Sequence, residues 1–216
     1  MADGASYVPV LAVPNSDLDE ALAGTGAQVP VTDEPTFGGP GDGGGGAAAP
    51  PIPEVAASEL DALRIEVHAY DTKMKGTLAA LAGLVGLSAD KAKIGLEHEA
   101  SRFSLVPVDG NAATATRFYK VGCAARLFVV TDKIDVSFKL TIPQLAAAAE
   151  LGYTQGRITI EVQGYTGPIG TIPVPGGLSV ESFAEYMSAF QALQTAVFAA
   201  ENAAYLRPRL LGIVTP

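Results

Sequence analysis

No lysine or arginine occurs before Arg64, whereas ten carboxylates do: Asp3, Asp17, Asp19, Glu20, Asp33, Glu34, Asp42, Glu54, Glu59 and Asp61. Removing those ten from the chain's 23 acidic residues leaves 13 acids against all 14 bases, so the net charge of −9 belongs to the start of the chain and the remainder is close to neutral. Nucleic-acid binding draws most of its affinity from clustered Lys and Arg that release counterions. The bases here are scattered, with Lys73/Lys75, Lys91/Lys93 and Arg207/Arg209 as the nearest groupings. Each reads as a solvated face, and no nucleic-acid partner is expected.

Cysteine is nearly absent as well. Cys123 alone cannot form an internal disulfide, and its apolar neighbours suit a small hydrophobe rather than a reactive thiol. That usage fits a reducing compartment, and a cytoplasmic location is expected, with signal-independent export left open. The segment Tyr7–Val13 is too short, and preceded by Asp3 rather than a base, to resemble a signal peptide. Long hydrophobic runs are missing too: Leu78–Leu87 is the longest, about half of what a membrane-spanning helix needs.

A metal site needs His, Cys, Asp or Glu at usable spacings, and the two histidines of the chain, His68 and His98, fall on different expected strands. In Glu97-His98-Glu99 the strand period puts His98 on the face opposite both glutamates, so the three cannot converge on one ion. No Gly-x-Ser-x-Gly elbow is present, and Gly43–Gly46 lacks the preceding strand and the following Gly-Lys-Ser/Thr of a phosphate cradle. Asp132 and Asp135 flank a turn-like stretch that favours Asp for local reasons. No cofactor, no metal and no catalytic constellation is expected.

Residues 1–55 hold eight prolines and ten glycines, and no period of 2 or 3.6 persists through them. Such a stretch buries too little apolar surface to offset its ordering entropy, so an acidic, Gly/Pro-rich arm is expected, disordered or docking. Within it Tyr7-Val8-Pro9-Val10-Leu11-Ala12-Val13-Pro14 is an apolar, extended-prone segment suited to a groove or sheet edge, followed at Ser16–Ala23 by a helix-capping pattern. The candidate docking side chains of the arm are therefore Tyr7, Val8, Val10, Leu11 and Val13.

Residues 56–216 read as one globular α+β domain, a mostly antiparallel sheet of about five strands covered on one face by two or three helices. Leu63, Ile65, Val67 and Ala69 alternate with Arg64, Glu66, His68 and Tyr70. Met74–Leu87 suggests a buried helix, and Lys91–Val108 a long strand with an interruption or bulge near residues 100–102. Asp109-Gly110-Asn111 signals a hairpin into Thr114–Thr131. A reversal at Asp132-Lys133 is expected before a strand over Ile134–Ile142, then a Pro143-initiated helix to Leu151 and a strand with Ile158, Ile160 and Val162 inward. Gly164–Gly177 forms a long Pro/Gly loop. Ser179 caps a helix running to about Ala204, with Val180, Phe183, Met187, Phe190, Leu193 and Val197 on its apolar face. Leu210, Leu211, Ile213 and Val214 then form a terminal apolar segment that either pairs with the sheet edge or docks elsewhere.

The expected function is that of a non-enzymatic interaction or assembly protein whose arm, C-terminal segment or both dock on a protein partner or on further copies of itself. Two alternatives stand beside it. A membrane-active effector or toxin component would use Leu78–Leu87 against lipid, although the basic polar face of an interfacial helix is missing. A small-ligand-binding or enzymatic domain would use residues 164–177 as a lid.

Overall fold

The computed structural model describes residues 6–9, 54–70, 73–108, 110–134, 146 and 154–215. In chain order they form β1 (Ser6–Pro9), β2 (Arg64–Tyr70), α1 (Lys75–Leu84), β3 (Ile94–Pro107), β4 (Phe118–Ile134), β5 (Thr154–Gln163), β6 (Gly176–Gly177), α2 (Val180–Phe198) and β7 (Arg209–Thr215), with short 3-10 turns at Ala57–Glu59 and Ala200–Tyr205. The chain is α+β, with one antiparallel sheet ordered β1-β7-β4-β3-β2 and β5 and β6 branching from β4.

Strand β4 is the spine. Along one edge it pairs with β3 without a break from Ile94↔Thr131 to Pro107↔Phe118. Along the other edge its first half pairs with β7 and its second half with β5. A strand bonded on both edges and packed on both faces is withdrawn from water along its length, and Val121–Thr131 is buried at every position, apolar except for Arg126 and Thr131. Gly122 is required where β3 crosses close: a Cβ there would lie 2.1 Å from the Arg102 carbonyl oxygen.

Because β4 carries apolar residues on both sides, the helices divide between the faces instead of sharing one. Leu127 and Val129, with Leu96, Ala100, Ile158 and Ile160, pack under Tyr186, Phe190 and Leu193 of α2. Phe128 and Val130, with Tyr70, pack under Leu78, Leu81 and Ala82 of α1. The sequence-based expectation of one covered face is corrected accordingly. Ser179 caps α2, its hydroxyl accepting from the Ser182 amide at 3.0 Å, and Glu181 stands in the first turn. That helix ends at Phe198, and a 3-10 turn, not further α-helix, carries the chain to Tyr205. Helix α1 closes with Gly86 at φ +70°, its amide bonding the Gly83 carbonyl while the Leu87 amide reaches Ala82, the Schellman arrangement.

The hairpin between β3 and β4 stands where the Gly110 turn places it. No bulge interrupts β3 near residues 100–102. The irregularities lie in β4, between Thr131 and Lys133 against β5 and between Lys120 and Val121 against β7. No reversal occurs at Asp132-Lys133: β4 runs on to Ile134, and Asp132 is the extra residue of the bulge. The strand and helix expected over 135–151 lie outside the described residues apart from Ala146, which is helical and buried against the α2 cluster. The C-terminal segment joins the sheet, β7 lying between β4 and the arm's β1.

Candidate functional site

On the face of the sheet away from α2, the polar positions of the long strands converge. Strand β3 sends Glu97, Glu99 and Ser101 to this side, β4 sends Lys120 and Arg126, β5 sends Glu161 and Gln163, and β2 sends Glu66, His68 and Tyr70, the pairings Glu66↔Glu99, Glu99↔Arg126 and Arg126↔Glu161 setting them in a row. Glu97, Glu99, Ser101, Lys120, Arg126 and Glu161 are all buried. A charge taken out of water must be paired and hydrogen-bonded to persist.

Arg126 is the hub. Its Nε lies 3.0 Å from Glu99 Oε2 and 3.2 Å from Glu97 Oε1, and its Nη1 donates to Gln163 Oε1 at 2.9 Å with Glu161 Oε2 at 3.7 Å. Its Nη2 donates to the Leu211 carbonyl at 2.7 Å and to the Tyr7 hydroxyl at 3.1 Å. Lys120 Nζ bridges Glu66 Oε2 at 2.6 Å and Glu99 Oε1 at 2.5 Å, and Ser101 Oγ donates to Glu99 Oε1 at 2.5 Å. Tyr70 donates its hydroxyl proton to Glu97 Oε2.

Tyr7 comes from the far end of the chain. Strand β1 lies antiparallel on β7 in the register Tyr7↔Val214 and Val8↔Ile213, which turns the Tyr7 ring into the charged row, where it is 5% exposed. Its hydroxyl is 3.1 Å from both Glu99 Oε2 and the Leu211 carbonyl. The ring stacks on His68 at 4.4 Å between centroids, and Lys120 Nζ stands 4.8 Å from its centre, within cation–π range. Strands β2, β3, β4 and β7 thus build a socket that grips a phenol at its hydroxyl and along its ring.

Burial and neighbouring charge drive the acid–base groups apart. Burial pushes Glu97 up to about 8, with Arg126 pulling against it, so this carboxyl stays protonated at neutral pH. Glu99 is equally buried, yet Arg126 and then Lys120 outweigh the desolvation and hold it well below the usual carboxylate range. Burial lowers His68 to about 4, leaving it neutral, and its Nε2 has no hydrogen-bond partner. Burial also raises the Tyr7 and Tyr70 hydroxyls well above their ordinary values, so both remain phenols.

The docking side chains expected from sequence are distributed as follows. Tyr7 fills the socket, and Val8 is in β1 with its backbone paired. Leu210, Leu211 and Ile213 are buried in β7, with Val214 opposite Tyr7, so the C-terminal segment forms a wall of the acceptor for the arm. Val10, Leu11 and Val13 lie outside the described residues. His68 and His98 do not meet: His98 is on the α2 face, 5.2 Å from the Phe190 ring, and burial lowers its pKa. Cys123 pairs with Arg102 and His98 with Leu127, four positions apart along β4, and burial pushes the thiol up to about 11. The loop 164–177 is tied down by Tyr165↔Leu206, by Gly176 and Gly177 on β5, and by Arg157 Nη2 to the Pro175 carbonyl at 3.1 Å. Among the described residues no group of three or more His, Cys, Asp or Glu is placed to hold a metal, and no helix is long and apolar enough to cross a membrane.

The charged row itself was not anticipated from sequence. Its signal was available in the regular spacing of Glu97, Glu99 and Ser101 and in Arg126 standing alone within the apolar run Val121–Val130. In comparisons with protein-family models, curated proteins and solved structures, the chain matches none of them.

Proposed function

We propose that this protein is a non-enzymatic assembly subunit whose N-terminal arm is a docking strand, with the β7 edge and the charged socket as its receptor. The observation that carries this reading is Tyr7, a residue of the arm whose hydroxyl contacts Arg126, Glu99 and the Leu211 carbonyl inside the body. An extended peptide added to a sheet edge gains affinity from its backbone bonds and specificity from a pocketed side chain, and β1 on β7 has both.

Residues 10–53 join the docking strand to the body, and a segment of that many residues has enough contour length to reach a neighbouring body as well as the chain's own. The charge distribution favours the same use, because a near-neutral body associates more readily than a charged one while the acidic arm limits indiscriminate clustering.

Chains carrying Val8→Cys, mixed with chains carrying Ile213→Cys and mildly oxidised, test this reading, since these positions face each other in the β1–β7 register. The reading expects a covalent pair between two chains and, by light scattering, a multimeric mass that Tyr7→Ala lowers. A monomeric mass at every concentration, with no inter-chain product, would overturn it.

A further inference from the structure

The sheet has a second edge, and its side chains face the wrong way for a solvent-exposed strand. Strand β2 ends the order β1-β7-β4-β3-β2, and among the described residues no strand bonds its outer edge. Its polar residues Glu66, His68 and Tyr70 point into the charged row, while its apolar residues point out: Leu63 is 41%, Ile65 59% and Val67 64% exposed, and Ala69 is exposed beside them. Edge strands are ordinarily blunted by proline, by outward lysine, by a bulge or by a covering loop. Strand β2 has no proline and no lysine, and its pairing with β3 runs from Arg64↔Ser101 to Tyr70↔Gly95 without irregularity.

We propose that β2 pairs antiparallel with β2 of a second copy, about a two-fold axis through Val67, so that the two sheets become continuous. This inference rests on the assembly reading above and names a different surface for it. The strand is self-complementary in that register. Val67 meets Val67, Ile65 meets Ala69, Glu66 meets His68 and Arg64 meets Tyr70, which uses all seven residues and opposes no like charges. Moving the axis to Glu66 would place two glutamates directly opposite each other, which is unfavourable. Any odd shift would set the apolar stripe against Arg64, Glu66 and His68. An axis at Ile65 would leave Val67, His68, Ala69 and Tyr70 opposite residues that precede the strand. A two-fold contact of one patch with itself is also the commonest way for identical chains to associate.

The test uses the full-length chain with Val67→Cys. Residues opposed across an antiparallel pair have Cα atoms about 4.5–5.5 Å apart, which suits a disulfide. Cys123 is buried and stays out of the reaction. The expected result is a covalent dimer on mild oxidation, none from Val174→Cys, which is more exposed than Val67, and none from Ile65→Cys alone, whereas Ile65→Cys mixed with Ala69→Cys does cross-link. Val67→Lys, which sets two cations on the axis at an already exposed site, is expected to weaken association on the order of tenfold or more. No dimer from Val67→Cys together with an unchanged mass for Val67→Lys would overturn the inference, as would self-linking of Ile65→Cys in its place. If Tyr7→Ala still lowers the mass while Val67→Lys does not, the arm reading stands and the β2 contact falls; if neither does, both fall.

Discussion

The two faces of the sheet reach the same degree of burial by opposite means. Under α2 the interior is hydrocarbon: Leu96, Leu127, Val129, Ile158 and Ile160 meet Phe190 and Leu193, and packing alone holds the layer. On the other face Arg126, Lys120, Glu97 and Glu99 are as dry, but each depends on a named partner. The apolar face tolerates loss of one member at the cost of a cavity, whereas the charged face fails as a unit when a partner is withdrawn. The charged face is also the one completed by a residue from the arm, Tyr7.

The comparison breaks most visibly at Arg126. Arg126→Met leaves Glu97 and Glu99 facing each other in the interior and is expected to cost about 3–5 kcal/mol at neutral pH, measured by denaturant unfolding. Phe190→Ala on the other face is expected to cost a similar ~3–5 kcal/mol by opening a cavity. The two separate on titration. Acid protonates the stranded Glu99, the carboxylate that Arg126 holds ionised, and shrinks the Arg126→Met deficit, while the Phe190→Ala deficit stays level as pH falls.

Smaller changes sharpen the contrast. Glu97 has a folded pKa of about 8, above its ordinary value of 4.5, so its contribution to stability is complete below about 4.5 and is lost as pH rises through 8. His68, lowered from 6.5 to about 4, acts in the opposite sense, adding stability as pH rises from 4 to 6.5. The two oppose each other below 6.5, which leaves Glu97 to set the slope above it. Unfolding free energy is expected to decline between pH 6.5 and 8 by up to about 2 kcal/mol, and Glu97→Gln, which keeps the neutral form, is expected to flatten that decline. Tyr7→Phe keeps the ring in the socket and removes only the hydroxyl. The expected loss is about 1 kcal/mol in the unfolding free energy, well short of the Arg126 variant.

Much of the scaffold was legible in the residues. The Gly110 turn, the cap at Ser179 and the inward Ile158 and Ile160 follow from local chemistry, while pairing with the sheet was one of two fates the residues left open for Leu210–Val214. What was not legible is which side of β2 faces inward. Alternation sorts side chains onto two faces but is silent on what covers them. On β2 the apolar set lies outward and the polar set inward, because Lys120 pairs with Glu66 and Tyr7, delivered from a distant part of the chain, covers His68. Asp132-Lys133 looked like a turn for the same reason: two polar residues end an apolar run, yet a bulge absorbs them and the ladder continues at Lys133↔Gln155. The polar residues near 101–102 suggested a break in β3, whereas Ser101 belongs to the charged row and Arg102 bonds the backbone carbonyls of Leu60 and Asp61.

Everything assigned to the arm depends on Tyr7 residing in the socket. Hydrogen exchange of the segment containing residues 6–9, followed in the full-length chain and in Tyr7→Ala, measures that residence directly. Protection of 6–9 on a par with β7 in the parent chain, abolished by Tyr7→Ala while α2 keeps its own, is the result this account predicts. Exchange of 6–9 at the rate of an unstructured peptide in the parent chain would contradict it.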